Sequence, residues 1–253
     1  MRSSEFTARA RRRELVVGYW LTLDSQVLAE RLAGVGYDYI VLDAQHGELD
    51  GRAQLATLIA VDAAAGATAL VRVEANHATP IGRALDSGAA GVIVPLVNSA
   101  ADAAAAVAAT RYPPAGIRSF GPLRSDLRIG PDPTEVNATV LVLAMIETGA
   151  GLASVEDIAA TPGLDGIYIG PADLSLGVGA AYPGDPAADD DLDAALVRIR
   201  RACGASGIIA GIHTPSGEVA AQRLAEGFTF VTVAHDVGHL VAAARSHLEV
   251  ARS

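Results

Sequence analysis

Short runs of β-branched and aliphatic residues alternate along the chain with longer alanine- and leucine-rich stretches whose apolar positions recur at helical spacing. The runs fall at Val16–Leu21, Tyr39–Leu42, Ala69–Val73, Gly91–Leu96, Val140–Ile146, Gly166–Ile169, Ile208–Ile212 and Phe228–Val233. Helical spacing holds over Gln26–Ala33, Ala53–Ala64, Pro80–Leu85, Ala100–Ala109, Leu192–Cys203 and Gly217–Ala225. Eight strands alternating with helices predict an α/β fold with a parallel sheet in which every strand is covered. Eight is also the number that closes a (β/α)8 TIM barrel. The alternative is an open doubly wound sheet, but no Gly-x-Gly-x-x-Gly follows the first run, so nothing supports a dinucleotide fold. No linker divides the chain, and residues 1–253 read as one barrel domain with residues 1–14 as an N-terminal extension.

Two stretches break the rhythm. Thr110–Thr139 holds five prolines and four arginines without a clean period. Excursions of that length inside a compact domain are usually functional or make subunit contacts. Ala180–Asp191 is a shorter irregular excursion whose acidic run is expected to precede a helix N-terminus, where negative charge is favourable.

The strand ends carry the chemistry in such a barrel. The fifth run ends in Glu147, and the sixth opens through Gly170 and Pro171 into Asp173. Parallel strands joined by a crossover helix bring both ends to the same edge, so the two carboxylates are expected to face one another. With no cysteine or histidine beside them, they suit a hard divalent cation such as Mg²⁺ or Mn²⁺. Taken singly, each reads equally well as the cap of the next helix. Trp20, the only tryptophan, stands at the end of the first run, His46 follows the second and Arg72 lies in the third. A lone histidine after a strand is most often structural, and Trp20 has a packing reading as well. An inward arginine needs acceptors and is harder to dismiss. The N–H groups of Ala172, Asp173 and Leu174, at a turn opening a helix, offer a site for a substrate carboxylate.

Composition narrows the reaction. No lysine occurs, and all nineteen basic residues are arginine, which closes every mechanism that needs a lysine amine. Carbonyl chemistry here therefore requires a metal to hold negative charge. A formal net charge of −10 argues against nucleic acid and anionic membrane as partners. The Arg11–Arg13 triplet reads as a solvated segment. The chain shows neither a signal-peptide core nor an apolar run of membrane-spanning length. Its single cysteine, Cys203, reads as a buried helix residue and fits a reducing compartment. The expectation is a cytoplasmic protein.

Several motifs carry a resemblance. Tyr37–Gly47 (YDYIVLDAQHG), Val71–Val73, Arg111–Arg118 (RYPPAGIR), Ile146–Thr148 and Gly170–Ser175 (GPADLS) resemble the 4-hydroxy-2-oxo-heptanedioate aldolases. These are class II, metal-dependent pyruvate aldolases of the HpcH/HpaI aldolase/citrate lyase group. The likeness runs from about Gly18 to Ala243. It implies a homo-oligomeric barrel, usually a hexamer arranged as a trimer of dimers, with Mg²⁺, Mn²⁺ or Co²⁺ on Glu147 and Asp173. It implies that Arg72 contacts the pyruvyl oxygen and that His46, paired with Asp86, is the general base. Gly170, Pro171, Ala172, Asp173 and Trp20 would then border the substrate. Two departures stand out: Ala44-Gln45-His46 where the family more often has Gly-Glu-His, and Met145 where it often has glutamine.

The activity so implied is reversible cleavage of a 4-hydroxy-2-oxo acid to pyruvate and an aldehyde through a metal-stabilised pyruvate enolate. Two other readings stay open. One is a citrate-lyase-like hydroxyacyl-CoA lyase, although Asp43-Ala44-Gln45-His46 differs from the acidic motif such enzymes carry there. The other is a non-catalytic barrel that binds pyruvate and metal.

Overall fold

The computed structural model describes residues 3–253. Eight parallel strands close into a barrel in sequence order: β1 (Val16–Leu21), β2 (Tyr39–Asp43), β3 (Thr68–Arg72), β4 (Gly91–Val94), β5 (Leu141–Ile146), β6 (Gly166–Ile169), β7 (Ile209–Thr214) and β8 (Phe230–His235). The helices, in chain order, are α1 (Ser3–Arg11), α2 (Gln26–Ala33), α3 (Gly51–Ala64), α4 (Ala78–Asp86), α5 (Ala100–Thr110), α6 (Ser125–Arg128), α7 (Pro133–Thr139), α8 (Gly149–Ala153), α9 (Val155–Ala159), α10 (Pro171–Gly177), α11 (Asp189–Ser206), α12 (Gly217–Ala225) and α13 (Asp236–Arg252). The predicted (β/α)8 barrel is the observed fold. No helix among the described residues is long and apolar enough to cross a membrane.

Strand boundaries follow backbone chemistry. β4 stops at Val94, short of the predicted Leu96, because Pro95 has no N–H to donate and Leu96 takes a left-handed φ of 55°. β7 and β8 run two residues further than their apolar runs. The ladder continues through Thr214↔Val233 and Trp20↔His235, which puts His213 and His235 inside the strands.

Two cores result. One lies between the strands and the surrounding helices. The other fills the barrel interior with Trp20, Tyr39, Met145, Tyr168 and Phe230 among its members. Tyr39 fits only because Gly18 faces it on β1, where a Cβ would sit 2.2 Å from the ring. Tyr39 and Tyr168 share the Thr232 hydroxyl at 2.8 and 2.7 Å, which satisfies two phenols in an apolar interior.

The N-terminal segment takes a different role from the one its charge suggested. α1 closes the barrel's N-terminal end, with Phe6 fully buried 5.8 Å from Tyr39 and 6.2 Å from Phe230. Arg11 is exposed, as expected, yet anchored. Its Nε meets Asp165 at 2.7 Å, and the rest of its guanidinium holds the carbonyls of Ala138 and Val140. Arg12 and Arg13 are exposed. The 110–139 excursion folds into α6 and α7 and leaves Phe120, Leu123 and Leu127 largely exposed. α13 likewise exposes Leu240, Val241 and Leu248.

Candidate active site

Asp43, the last residue of β2, organises the C-terminal rim. Its side chain is 2% exposed and accepts from five donors. Arg72 Nε reaches Oδ1 at 2.9 Å while Nη2 grips Oδ2, a fork that strand register makes possible because Asp43 and Arg72 are direct partners. Trp20 Nε1 donates to Oδ2 at 3.1 Å. The backbone N–H groups of Gln45 and His46 donate to Oδ1 at 3.0 and 3.1 Å. Burial opposes ionisation of Asp43, but the Arg72 guanidinium and these N–H donors outweigh it and hold the carboxyl below its usual range. A buried ion pair of this kind needs that full set of partners.

The same hub fixes neighbouring groups. The Arg72 guanidinium lies over the Trp20 ring, 5.0 Å from its centroid, and that ring stacks on Tyr168. His46 is exposed at the mouth, on a turn shaped by Asp43. Gly47 allows the turn, since a Cβ there would strike the carbonyl oxygens of Asp43 and Thr22. Thr22 is itself held from the start of α13: the buried Asp236 accepts from its N–H at 3.1 Å, from its hydroxyl at 2.7 Å and from Leu23 N–H at 3.0 Å.

Across the rim, Glu147 is buried and Asp173 exposed. Leu96 N–H donates to Glu147 Oε1 at 2.7 Å, an alignment obtained through the left-handed backbone at Leu96. Oε2 lies 3.2 Å from where a Gly170 Cβ would stand, so a side chain at 170 would crowd both this carboxylate and the Met145 methyl group. Burial raises the Glu147 pKa, and the nearby Asp173 charge adds to that, against the Leu96 N–H, Arg72 and His46. A cation between the carboxylates relieves such a pair. No group of three or more His, Cys, Asp or Glu side chains able to hold a metal occurs among the described residues. Two carboxylates, of which Asp173 lines a cavity, suit a hard ion that completes its shell with water and substrate oxygens. The donor set fits.

A cavity of about 510 Å³ opens here, lined by Trp20, His46, Arg72, Gly170, Pro171 and Asp173 among others. Of the three predicted anion donors, Leu174 N–H is already used by Gly170 O at 3.0 Å, which leaves those of Ala172 and Asp173 at the first turn of α10. Met145 lines the cavity, and its methyl group packs where a Gly170 Cβ would be. Gln45 buries its Oε1 without a partner.

Asp86 is the predicted residue that the fold does not bring to the rim. It ends α4, which runs antiparallel to the strands, so it lies at the barrel's N-terminal end and pairs with Arg118 at 2.7 Å. Within one chain it cannot orient His46. Reasoning from sequence also gave no role to Asp43 and Asp236, although Asp43 stands in the YDYIVLDAQHG motif and both end or follow strands.

A closed β/α barrel with a cation-suited carboxylate pair, a buried arginine and an exposed histidine on its C-terminal rim is the frame of a carbonyl-handling enzyme. The chain belongs to the HpcH/HpaI aldolase/citrate lyase family, which matches residues 16–243. It is 41% identical over 235 residues to a hydroxypyruvate/pyruvate aldolase of Rhizorhabdus wittichii, covering 92% of this chain and 93% of that one. It is 40% identical to a 4-hydroxy-2-oxovalerate aldolase of Rhodococcus jostii, covering 92% and 89% of the two chains. The crystal structure of a family protein from Burkholderia cenocepacia superposes with a TM-score of 0.88 at 34% identity, over 99% of this chain and 100% of that one. Family and relatives together mark a carbon–carbon lyase.

Proposed function

We propose that the protein reversibly cleaves a 4-hydroxy-2-oxo acid to pyruvate and an aldehyde. The observation that carries this reading is the guanidinium of Arg72, locked by Asp43 on the same rim as the Glu147–Asp173 pair. Positive charge held rigid in advance is what a developing enolate oxygen requires. Arg72 faces the 2-oxo oxygen, and the first-turn N–H groups of Ala172 and Asp173 receive the substrate carboxylate. His46 takes the proton of the C4 hydroxyl. The C3–C4 bond breaks, its electrons pass to the 2-oxo oxygen facing Arg72, and a proton returned to C3 completes pyruvate. Glu147 and Asp173 would hold Mg²⁺, Mn²⁺ or Co²⁺, which supplies a Lewis acid to the substrate oxygens. Trp20 borders the substrate and fixes Asp43.

The working form is a homo-oligomer, a hexamer built as a trimer of dimers. The exposed Phe120, Leu123 and Leu127 and the apolar positions of α13 support it, since a monomer rarely leaves such residues together in water. If Asp86 orients His46, it does so from another subunit. The buried, unpaired Cys203, its thiol pushed up to about 12 by burial, fits the cytoplasm. The test is exchange of pyruvate methyl protons in D₂O with and without a chelator. Exchange that needs a divalent cation supports the reading, and no exchange in metal-loaded protein overturns it.

A further inference from the structure

The rim cavity is chemically uneven. Its single arginine, Arg72, has Nε and Nη2 committed to Asp43, and the carboxylates Asp43 and Asp173 lie on the arc that serves pyruvate. The opposite arc, from β7 through β8 to β1, presents Thr22, His213, Pro215 and His235, and Leu192 of α11 also lines the cavity. Among the described residues of one chain no guanidinium lines that arc, so a carboxylate or phosphate on the aldehyde half of a substrate would meet no fixed counter-charge from them.

Two imidazoles are what it does present. His213 stands edge-on to Trp20, with ring centroids 5.4 Å apart, and 6.4 Å from His235. Its Nδ1 is buried without a hydrogen-bond partner. That atom is shut off from the cavity, so the half-buried ring meets a ligand through its other nitrogen, Nε2. Burial above all, then the neighbouring His235 and Arg72, lowers the His213 pKa to about 4. The ring is thus neutral near pH 7, with one N–H to give and one lone pair to receive. His235 is the N-cap residue of α13 yet does not cap it through its side chain, and Gly238 makes room for its ring. A neutral imidazole nitrogen, a donor in one tautomer and an acceptor in the other, matches a hydroxyl group, which can take either role. An anion calls for a charged partner, and an alkyl group leaves the ring unmet.

We propose that His213, with His235 beside it, reads the aldehyde half of the substrate and selects a short, uncharged hydroxyaldehyde over alkyl or anionic aldehydes. The proposal rests on the pyruvate aldolase reading above and names the acceptor class for that same site. Sites built to hydrogen-bond a substrate hydroxyl reject the analogue that lacks it far more strongly than apolar pockets reject an extra group.

Glycolaldehyde and propanal have the same number of heavy atoms and differ in a hydroxyl replacing a methyl group. Rates of pyruvate addition to each, and to succinic semialdehyde as the anionic case, are to be compared for the parent, His213→Leu and His213→Asn. The parent should favour glycolaldehyde, and His213→Leu should cut the glycolaldehyde-to-propanal ratio of kcat/KM by about 10- to 100-fold, through the aldehyde KM more than kcat. His213→Asn, which keeps a donor and an acceptor, should recover part of the ratio. The change in ratio cancels the intrinsic reactivities of the two aldehydes. An unchanged ratio in folded His213→Leu, or a parent that prefers succinic semialdehyde, overturns the proposal. Should His213→Leu fail to fold, His235→Leu supplies the same comparison. Pyruvate proton exchange by the parent separates the two levels. Its absence removes the aldolase reading, whereas exchange without hydroxyl selection removes only the acceptor assignment.

Discussion

Arg72 and Asp43 hold one another through two parallel bonds at the top of adjacent strands, with the guanidinium 8% and the carboxylate 2% exposed. The pair sets the direction of Arg72, and the same carboxylate draws in Trp20 and the backbone leading to His46. One side chain therefore aligns three of the groups on which the proposed chemistry depends.

Asp43→Asn should consequently damage more than a single contact. The amide keeps an acceptor for Arg72 but loses the charge, leaving a buried guanidinium short of its counter-ion. Pyruvate proton exchange and aldol cleavage should both fall by about 10²-fold or more, since each needs Arg72 in position. Trp20→Phe removes the Nε1 donor and part of the packing against Tyr168 and Arg72, and should cost roughly 1–3 kcal/mol of stability. Chemical denaturation and the two rate assays check both. Near-parental exchange in Asp43→Asn would mean that Arg72 does not face the reacting oxygen.

Glu147→Gln and Asp173→Asn keep the shape of each ligand and remove its charge. Each should weaken Mn²⁺ binding by tenfold or more, with little change in the melting temperature of the metal-free protein. Both carboxylates sit above the packed barrel interior, so trimming their charge leaves the core intact. Titration followed by electron paramagnetic resonance of free Mn²⁺ gives the affinity directly. Parental binding in both variants would place the cation elsewhere.

Phe6→Ala tests whether α1 is part of the barrel. The ring is fully buried between Tyr39 and Phe230, and removing a buried phenylalanine commonly costs about 3–5 kcal/mol. Urea unfolding should show a loss of that order. A loss below about 1 kcal/mol would make the segment an appendage.

That helix marks where reading from the sequence ran out. All eight strands were visible because each is apolar over several successive residues, as strands covered on both faces must be. The matched bounds of Gln26–Ala33 and Gly217–Ala225 follow from Ser25 and Ser216, whose side chains accept from the N–H groups of Leu28 and Val219. α1 has no such stripe; Phe6 is buried because the barrel's lower end offers a hole, which is a property of the closed sheet. The ends of β7 and β8 were missed because His213, Thr214 and His235 are polar, and only pairing keeps them in the ladder. For Asp86 the chain does hold the signal. It closes a helix that starts just after β3, and one antiparallel helix carries it away from the rim.

The pH dependence of stability should report on His213. Its folded pKa, about 4, lies below the ordinary value of 6.5, so the unfolded chain binds the proton first. Between pH 6.5 and about 4 the unfolded state holds more protons at this site than the folded one, and stability falls as the pH falls. The full penalty, reached near pH 4, is on the order of 3 kcal/mol, from 1.36 kcal/mol per pKa unit. Above pH 6.5 the ring is neutral in both states and contributes no slope. His213→Leu removes the titrating group, so parent and variant should diverge as the pH drops from 7 to 5, the variant losing less stability. Unfolding free energies of both proteins at pH 7, 6 and 5 measure this. Parallel curves for the two would mean that His213 is hydrated and charged in the folded protein, a state in which it would select anionic aldehydes.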